Sequence, residues 1–567
     1  MLRLQIWRRN IKVNPVAKAS FFKYPVLTRP GRMDNEAYVG GVEPLHGPDA
    51  WNLFQASADG DVSRVRTLLR GDPRLVNAQY WYQFPIHMAV RQNRPDVVRL
   101  LLENGADPGQ SRYTYNSWDK LLVTARVRGF EEIGELLVGE MATRFSYDDK
   151  FVDLADSIRA EDMVKIDSLL GAAPELIGKA DALGNNPLHL AAITRNVDLI
   201  ECFFALGADL EACRADGRRP IHVAIDGDYW FRSGDLPKKA IQDPWVVVNY
   251  LLDLGAEVDL GMHCMMGDVE QVAIILAADP TAGDRLDSAR TSPLYRAARA
   301  GQMKVVELLL SYGADPARPE DLAPSGRALH EAAGRNDIGM AELLLARGAD
   351  PAADVDSSGD CFSISGFNHP KGCRRMRQLL MDYGARQTLD LCRSEMKELL
   401  ESGVAVREEA IAQIFRSNDE ELLDAFLRSH GTVVAKMVPG DIWGGENLPS
   451  PSVLQRFLHC GLDVRRANWI GCTFLHVAAE KGSVELAAAL LAAGAELEAV
   501  ELETGATPLG VAVSAERTKM VAFLLERGAD PDRPTGMTWA TARTRAHQLK
   551  DSSIRENFES WDGPGPR

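Results

Sequence analysis

Apolar residues recur along this chain in two alternating arrangements. One is a short block that opens beside proline and closes on small residues, as in NPLHLAA at 186–192, RPIHVAI at 219–225 and SPLYRAA at 292–298. The other is a longer stripe such as VVELLL at 305–310, whose spacing lines one face of a helix. Each stripe runs into glycine, as in ENGAD at 103–107, ALGAD at 205–209, SYGAD at 311–315 and ERGAD at 526–530. Proline suits the first turn of a helix, where its missing N–H costs nothing. Glycine after the stripe supplies a left-handed C-cap, and the Asp that follows begins a turn. The pattern predicts a short helix, a longer helix and a polar turn, over and over.

The repeat length is nearly constant. Pro187 to Pro220 is 33 residues, Phe474 to Pro508 is 34 and Pro293 to Ala328 is 35, while Pro85 to Pro187 is 102, or three units of 34. Two markers in phase at that period resemble the ankyrin-repeat family, whose units carry T-P-L-H-x-A. The resemblance covers roughly residues 50–540, about fifteen units. It implies an all-α repeat protein, an ankyrin-type α-solenoid with β-turn fingers. A single unit cannot bury its apolar face alone, so stacking supplies the core. The expected layout is a weakly ordered arm at 1–49, repeats at 50–386 with an insertion at 226–245, degenerate repeats at 387–450, repeats again at 451–540, and a cap and tail at 541–567. The family's general use, binding one or more proteins or peptides along a concave face of finger tips and inner helices, is the function the resemblance implies.

One finger departs from the pattern. QYWYQFPIHMAV at 79–90 should begin with a tight turn of Asp, Gly and Asn, yet it holds Tyr80, Trp81, Tyr82 and Phe84. The next finger adds Tyr113, Tyr115 and Trp118, and the insertion adds Tyr229, Trp230 and Phe231. Only 7% of the chain is aromatic, so this clustering on loops is a selective feature. Aromatics beside arginine are enriched at binding hot spots, and Arg91 lies alongside. These residues form the candidate contact surface; the competing expectation is that the rings fold inward to seal the N-terminal repeats. A small-molecule or glycan platform is a further alternative.

Charge narrows the partners. The formal net charge of −16 argues against nonspecific binding to nucleic acid or to anionic membrane. Residues 1–33 invert that balance, with eight Lys or Arg and no acid. Such a start reads as a mitochondrial transit peptide, as a basic arm, or as sequence ahead of a true start at Met33. No apolar run reaches the roughly 18 residues that span a bilayer. Eight scattered cysteines without a CxxC suit a reducing compartment, and a cytoplasmic location is expected.

Candidate chemistry is sparse. His87, His189, His222, His330 and His476 hold the Pro-Leu-His position, where the resemblance implies a structural hydrogen bond. His263 and Cys264 are expected where the Ala-Ala pair should stand, and Asn368 and His369 likewise between Cys361 and Cys373. Those residues are the weak candidates for metal binding, or for an enzyme or small-molecule site on the deviating units at 260–375, although the spacing matches no zinc signature. No P-loop, GxSxG or HExxH string occurs. No cofactor is expected.

Overall fold

Several units start on a side-chain cap. The side chains of Asn186, Ser292 and Thr507 accept the backbone N–H of His189, Tyr295 and Gly510, starting the helices Pro187–Thr194, Pro293–Ala300 and Pro508–Ser514. Each cap satisfies a donor that the first turn leaves without an intrahelical partner. Proline stands at the first helical position of all three. A second helix follows in each, Val197–Ala205, Met303–Ser311 and Thr518–Glu526. The computed structural model describes residues 27–34, 36 and 44–559, apart from 82, 110, 115–116, 228–238, 289–290, 319–326, 354–359, 369–371, 386–396, 398–399, 402–413, 415–418, 440–447 and 550–552.

The chain divides into two compact units. The larger comprises Glu36–Arg126 and Phe130–Arg386, and the smaller Met1–Asn35, Val127–Gly129 and Gln387–Arg567. In the larger unit first helices pack on first helices, Pro187–Thr194 on Pro220–Asp226 and Leu260–Met266 on Pro293–Ala300. Second helices do the same, as Val269–Ala278 does on Met303–Ser311. The smaller unit repeats the scheme with Phe474–Lys481 on Pro508–Ser514 and Val484–Ala492 on Thr518–Glu526. The alanine pairs 191–192, 297–298 and 478–479 are all fully buried, which lets neighbouring first helices approach closely. The second helices supply the larger side chains of the same cores, among them Phe203, Leu309 and Leu490. Both units are therefore all-α repeat stacks, the architecture the periodicity predicts.

A recurring strap ties four of the units to the one before. Arg94 Nε donates to Ala58 O at 2.9 Å, Gln302 Nε2 to Met265 O at 3.1 Å, Arg335 Nη1 to Arg299 O at 3.1 Å and Arg517 Nε to Glu480 O at 2.8 Å. The acceptor in each case is a carbonyl near the end of the previous first helix, where intrahelical partners run out. The strap passes over a cap residue such as Gly301, at φ +75°, where a Cβ would stand 2.6 Å from Arg335 Nη2. Gly301→Ala is expected to lower stability by about 1–2 kcal/mol through backbone strain alone, with further loss as the strap is displaced. Denaturant titration checks it, and an unchanged midpoint would remove the strap from the account.

Fingers are mostly turns. One forms a short antiparallel hairpin, Ser111–Thr114 with Ser117–Lys120, in which Tyr113 pairs with Trp118. In the unit with the expected insertion, the first helix ends at Asp226 and the second starts at Pro244. Most of the stretch expected to be degenerate falls outside the described residues; the helix Glu420–Val434 within it is broken at His430. Among the described residues no helix is long and apolar enough to cross a membrane.

Candidate functional site

The aromatic finger is a two-residue hairpin turn. Tyr80 and Gln83 exchange both backbone hydrogen bonds, at 3.0 and 2.9 Å, with Trp81 at the tip. Tight hairpins of this kind favour Asn-Gly because the tip needs positive φ. Here Trp81 takes it, at +47°. A bulky L-residue in that region costs roughly 1–2 kcal/mol, and such strain concentrates at functional sites. The ring of Trp81 is half-buried.

The neighbouring candidates lie inside. Tyr80 is 9% exposed, Phe84 3% and Arg91 3%, and Arg91 donates to the buried Gln83 side chain. Burial takes these three out of the contact surface. The shortened turn is the cause: with two residues at the tip, the residues on either side point into the stack. Tyr113 and Trp118 sit opposite each other in the next finger's hairpin. Tyr82, Tyr115, Tyr229, Trp230 and Phe231 lie outside the described residues.

The Pro-Leu-His histidines make a link between units. In His189, Nδ1 accepts the backbone N–H of Asn186 at 3.3 Å and Nε2 reaches Arg218 O, in the next finger, at 2.9 Å. His476 does likewise with Thr473 N–H and Ala506 O. Burial pushes His189 down to about 4, with the Arg218 carbonyl only partly offsetting it, so the ring is neutral at physiological pH.

A buried charge cluster spans three successive units. Arg296, 1% exposed, places Nη1 at 3.1 Å from Asp226 and Nε at 3.0 Å from Asp287. Arg299 and Arg218 also pair with Asp226, at 3.0 and 3.4 Å. Burial alone would raise the Asp226 carboxyl, but Arg296, Arg299 and Arg218 together hold it far below the usual carboxylate range. Arg296 is held above its ordinary value because Asp226 and Asp287 outweigh the burial that would lower it. The helix between them carries Gly261, where a Cβ would lie 3.0 Å from Asp287 Oδ2 and 3.4 Å from Arg296 Cγ. The missing side chain makes room for the arginine. Sequence reasoning missed this cluster, although Arg296 in SPLYRAA stands where sister units carry Leu190, Val223 or Val477.

His222, Asp259 and Asp287 bring three possible metal-ligand atoms within 4.8 Å of one another. Their hydrogen bonds are already assigned. His222 Nδ1 accepts Arg219 N–H at 3.2 Å, so its proton sits on Nε2 and is donated to Asp259 at 3.1 Å. Asp259 also takes Arg219 Nη2 at 3.0 Å and Met262 N–H at 2.9 Å. Asp287 takes Arg296 Nε, Thr291 N–H and the Thr291 hydroxyl. With two guanidinium groups on these carboxylates, the arrangement is an ion network and not a cation site.

The expected register at two deviating units needs correction. The caps Asp259 and Ser292 are equivalent, and counting from them places Cys264 and Met265 at the alanine-pair positions, with His263 one earlier. His263 instead meets Asp268 at 3.1 Å. From the cap Asp360, whose side chain accepts Ser363 N–H, the alanine pair becomes Ser365 and Gly366, and not Asn368 and His369. Proline marks the start in regular units, and its loss at these two left the register to spacing alone. Burial pushes the Cys264 and Cys361 thiols well above their ordinary value, and Cys373 is buried too. Among the described residues these cysteines and His263 form no three-ligand group, and His369 is outside the described residues.

The geometry defines a helix-pair repeat protein. The family described as ankyrin repeats (3 copies) matches residues 260–355 and 446–535, and that described as ankyrin repeat matches 82–112 and 183–214. The chain is an ankyrin-repeat protein. It is similar to the fowlpox virus protein FPV240, 30% identical over 121 residues, 21% of this chain and 29% of that one. It is similar to the nuclear factor NF-kappa-B p105 subunit of Gallus gallus, 27% identical over 175 residues, 29% of this chain and 17% of that one. A third relative is the B-cell lymphoma 3 protein homolog of Mus musculus, 39% identical over 85 residues, 14% of this chain and 19% of that one. The chain spans less than a third of the length of each of these three. The repeats and these relatives support a role in protein interaction.

Proposed function

We propose that the protein is a scaffold or adaptor that holds a protein or peptide partner along the concave side of its repeats, with the finger at 79–84 as one anchor. The observation that carries this reading is Trp81, a half-buried tryptophan kept at φ +47° on a turn that would relax with glycine. Tryptophan is among the residues most enriched at binding hot spots, and strain retained at a loop tip is a mark of use. Free thiols at Cys202, Cys213 and Cys460 favour a reducing, cytoplasmic setting. The test separates stability from binding. Trp81→Gly relieves roughly 1–2 kcal/mol of backbone strain and gives up part of the ring's burial, so the chain should stay folded with little change in melting temperature, while recovery of the partners that co-purify with the unaltered chain drops at least several-fold. Full recovery of those partners by a folded Trp81→Gly chain would remove the finger from the interface.

A further inference from the structure

In a regular part of the larger unit, neighbouring fingers touch through a parallel bridge. Tyr147 pairs with Ala180, and Ala180 stands seven residues before Pro187, the first residue of its unit's first helix. Tyr147 lies 33 residues before Ala180, so it belongs to the finger one repeat earlier. The smaller unit has the equivalent position at Ala467, seven residues before Phe474, which opens the helix Phe474–Lys481. Counting back 33 residues from Ala467 reaches Val434, and Val434 lies in the helix Glu420–Val434, not in a finger. The place that Tyr147 fills in the regular unit is therefore not held by Val434.

Leu27 fills it. Leu27 pairs with Ala467 in the same parallel sense, while Ala467 pairs with Thr473 on its other side in the ordinary antiparallel way. Arg466 reaches Thr28 Oγ1 at 3.5 Å and Ala435 O at 3.4 Å, touching both the incoming segment and the helix end that displaced the finger. After one bridge the segment turns. Pro30, which has no N–H for a ladder, accepts Met33 N–H at 2.9 Å and opens the 3₁₀ turn Gly31–Asp34, closed by an Arg29–Asp34 ion pair. Met33 is 1% exposed and Ala467 0%. Leu27 and Met33 are thus the two apolar anchors, with exposed Arg29 and Gly31 between them.

We infer that the finger edge at Ala467 is a docking site for a peptide that adds one parallel bridge and then turns, and that residues 27–34 are its resident occupant. The peptide it takes has an aliphatic residue at the bridge, a hydroxyl next to it and a second apolar anchor six residues on. In strand addition the main chain gives affinity and the side-chain anchors give selectivity. A segment held in the same chain competes intramolecularly with any free peptide. It therefore keeps competing peptides out until it is clipped, modified or displaced. This assignment is independent of the Trp81 finger, which lies in the other unit.

A labelled peptide of residues 22–36 is the probe, used with the full chain. Leu27→Asp combined with Met33→Asp should release the resident segment, and the peptide should then bind at least several-fold more tightly than it binds the unaltered chain, because an intramolecular competitor has been removed. Adding Ala467→Arg to that chain should abolish the binding. Equal binding to both chains, or none to either, overturns the assignment, as does binding that survives Ala467→Arg. Loss of the smaller unit's helical signal in the double variant overturns it too, because the segment would then be part of the core and not a ligand.

Discussion

Arg296→Met is expected to destabilise the larger unit by about 3–5 kcal/mol, the cost of removing one partner from a buried ion pair. The side chain is 1% exposed and holds Asp226 and Asp287, themselves buried, in two different units. Methionine fills much of the same volume but leaves two carboxylates facing each other without their main counter-charge. Arg299 and Arg218 still reach Asp226, but Asp287 loses its paired cation. Arg299→Ala should cost much less, since that side chain is 31% exposed and screened by solvent. Salt should barely change the Arg296 effect, as buried pairs are poorly screened. Repeat arrays unfold in parts when one interface weakens. The informative measurement is therefore hydrogen exchange in the helices Pro220–Asp226, Leu260–Met266 and Pro293–Ala300, beside a urea titration. A loss spread evenly over the unit, or none at all, would contradict the cluster's role as a tie across three repeats.

The second large effect is a loss of stability on mild acidification. His189 is pushed down to about 4 by burial, against about 6.5 in an unfolded chain. Above pH 6.5 the ring is neutral in both states and contributes no pH dependence. As pH falls from 6.5 towards 4, the unfolded chain binds a proton that the folded chain refuses, so stability drops by roughly 3 kcal/mol across that window and then levels off. His476, also lowered by burial, adds to the slope in the smaller unit. The carboxylates Asp226 and Asp259, held far below their usual range, begin to lose stability only below about pH 5, where the unfolded chain takes up their protons. Comparing urea midpoints at pH 7 and pH 4.5 for the unaltered chain and His189→Gln isolates the effect. The variant has a lower starting stability but a flatter line. Parallel lines would mean that the imidazole is more solvated than its position implies.

The helices were legible because their ends carry local chemistry. Pro187, Pro293 and Pro508 stand at first helical positions, and Gly207, Gly313 and Gly528 fall where the second helices end in left-handed backbone. Where a unit trades proline for Leu260 or Cys361, spacing alone misplaces the alanine pair, which falls at Cys264–Met265 and Ser365–Gly366. The aromatic finger was recognised as irregular, yet its sequence does not say which rings turn inward. That follows from turn length, which sends Tyr80 and Phe84 into the stack and leaves Trp81 at the tip. Long-range pairings were invisible. Asp226 and Arg296 are 70 residues apart, and Leu27 and Ala467 belong to segments with no shared motif.

The straps from Arg94, Gln302, Arg335 and Arg517 all run in one direction, from a later unit to the carbonyls of an earlier one. A unit so built carries a plug at its front and a socket at its back, like a monomer in a head-to-tail polymer. Tandem copying of whole units leaves every join equivalent to those already present, whereas an inversion or a half-unit deletion would set two sockets or two plugs against each other. The same polarity that holds neighbours together thus favours growth and shrinkage of the array by complete units.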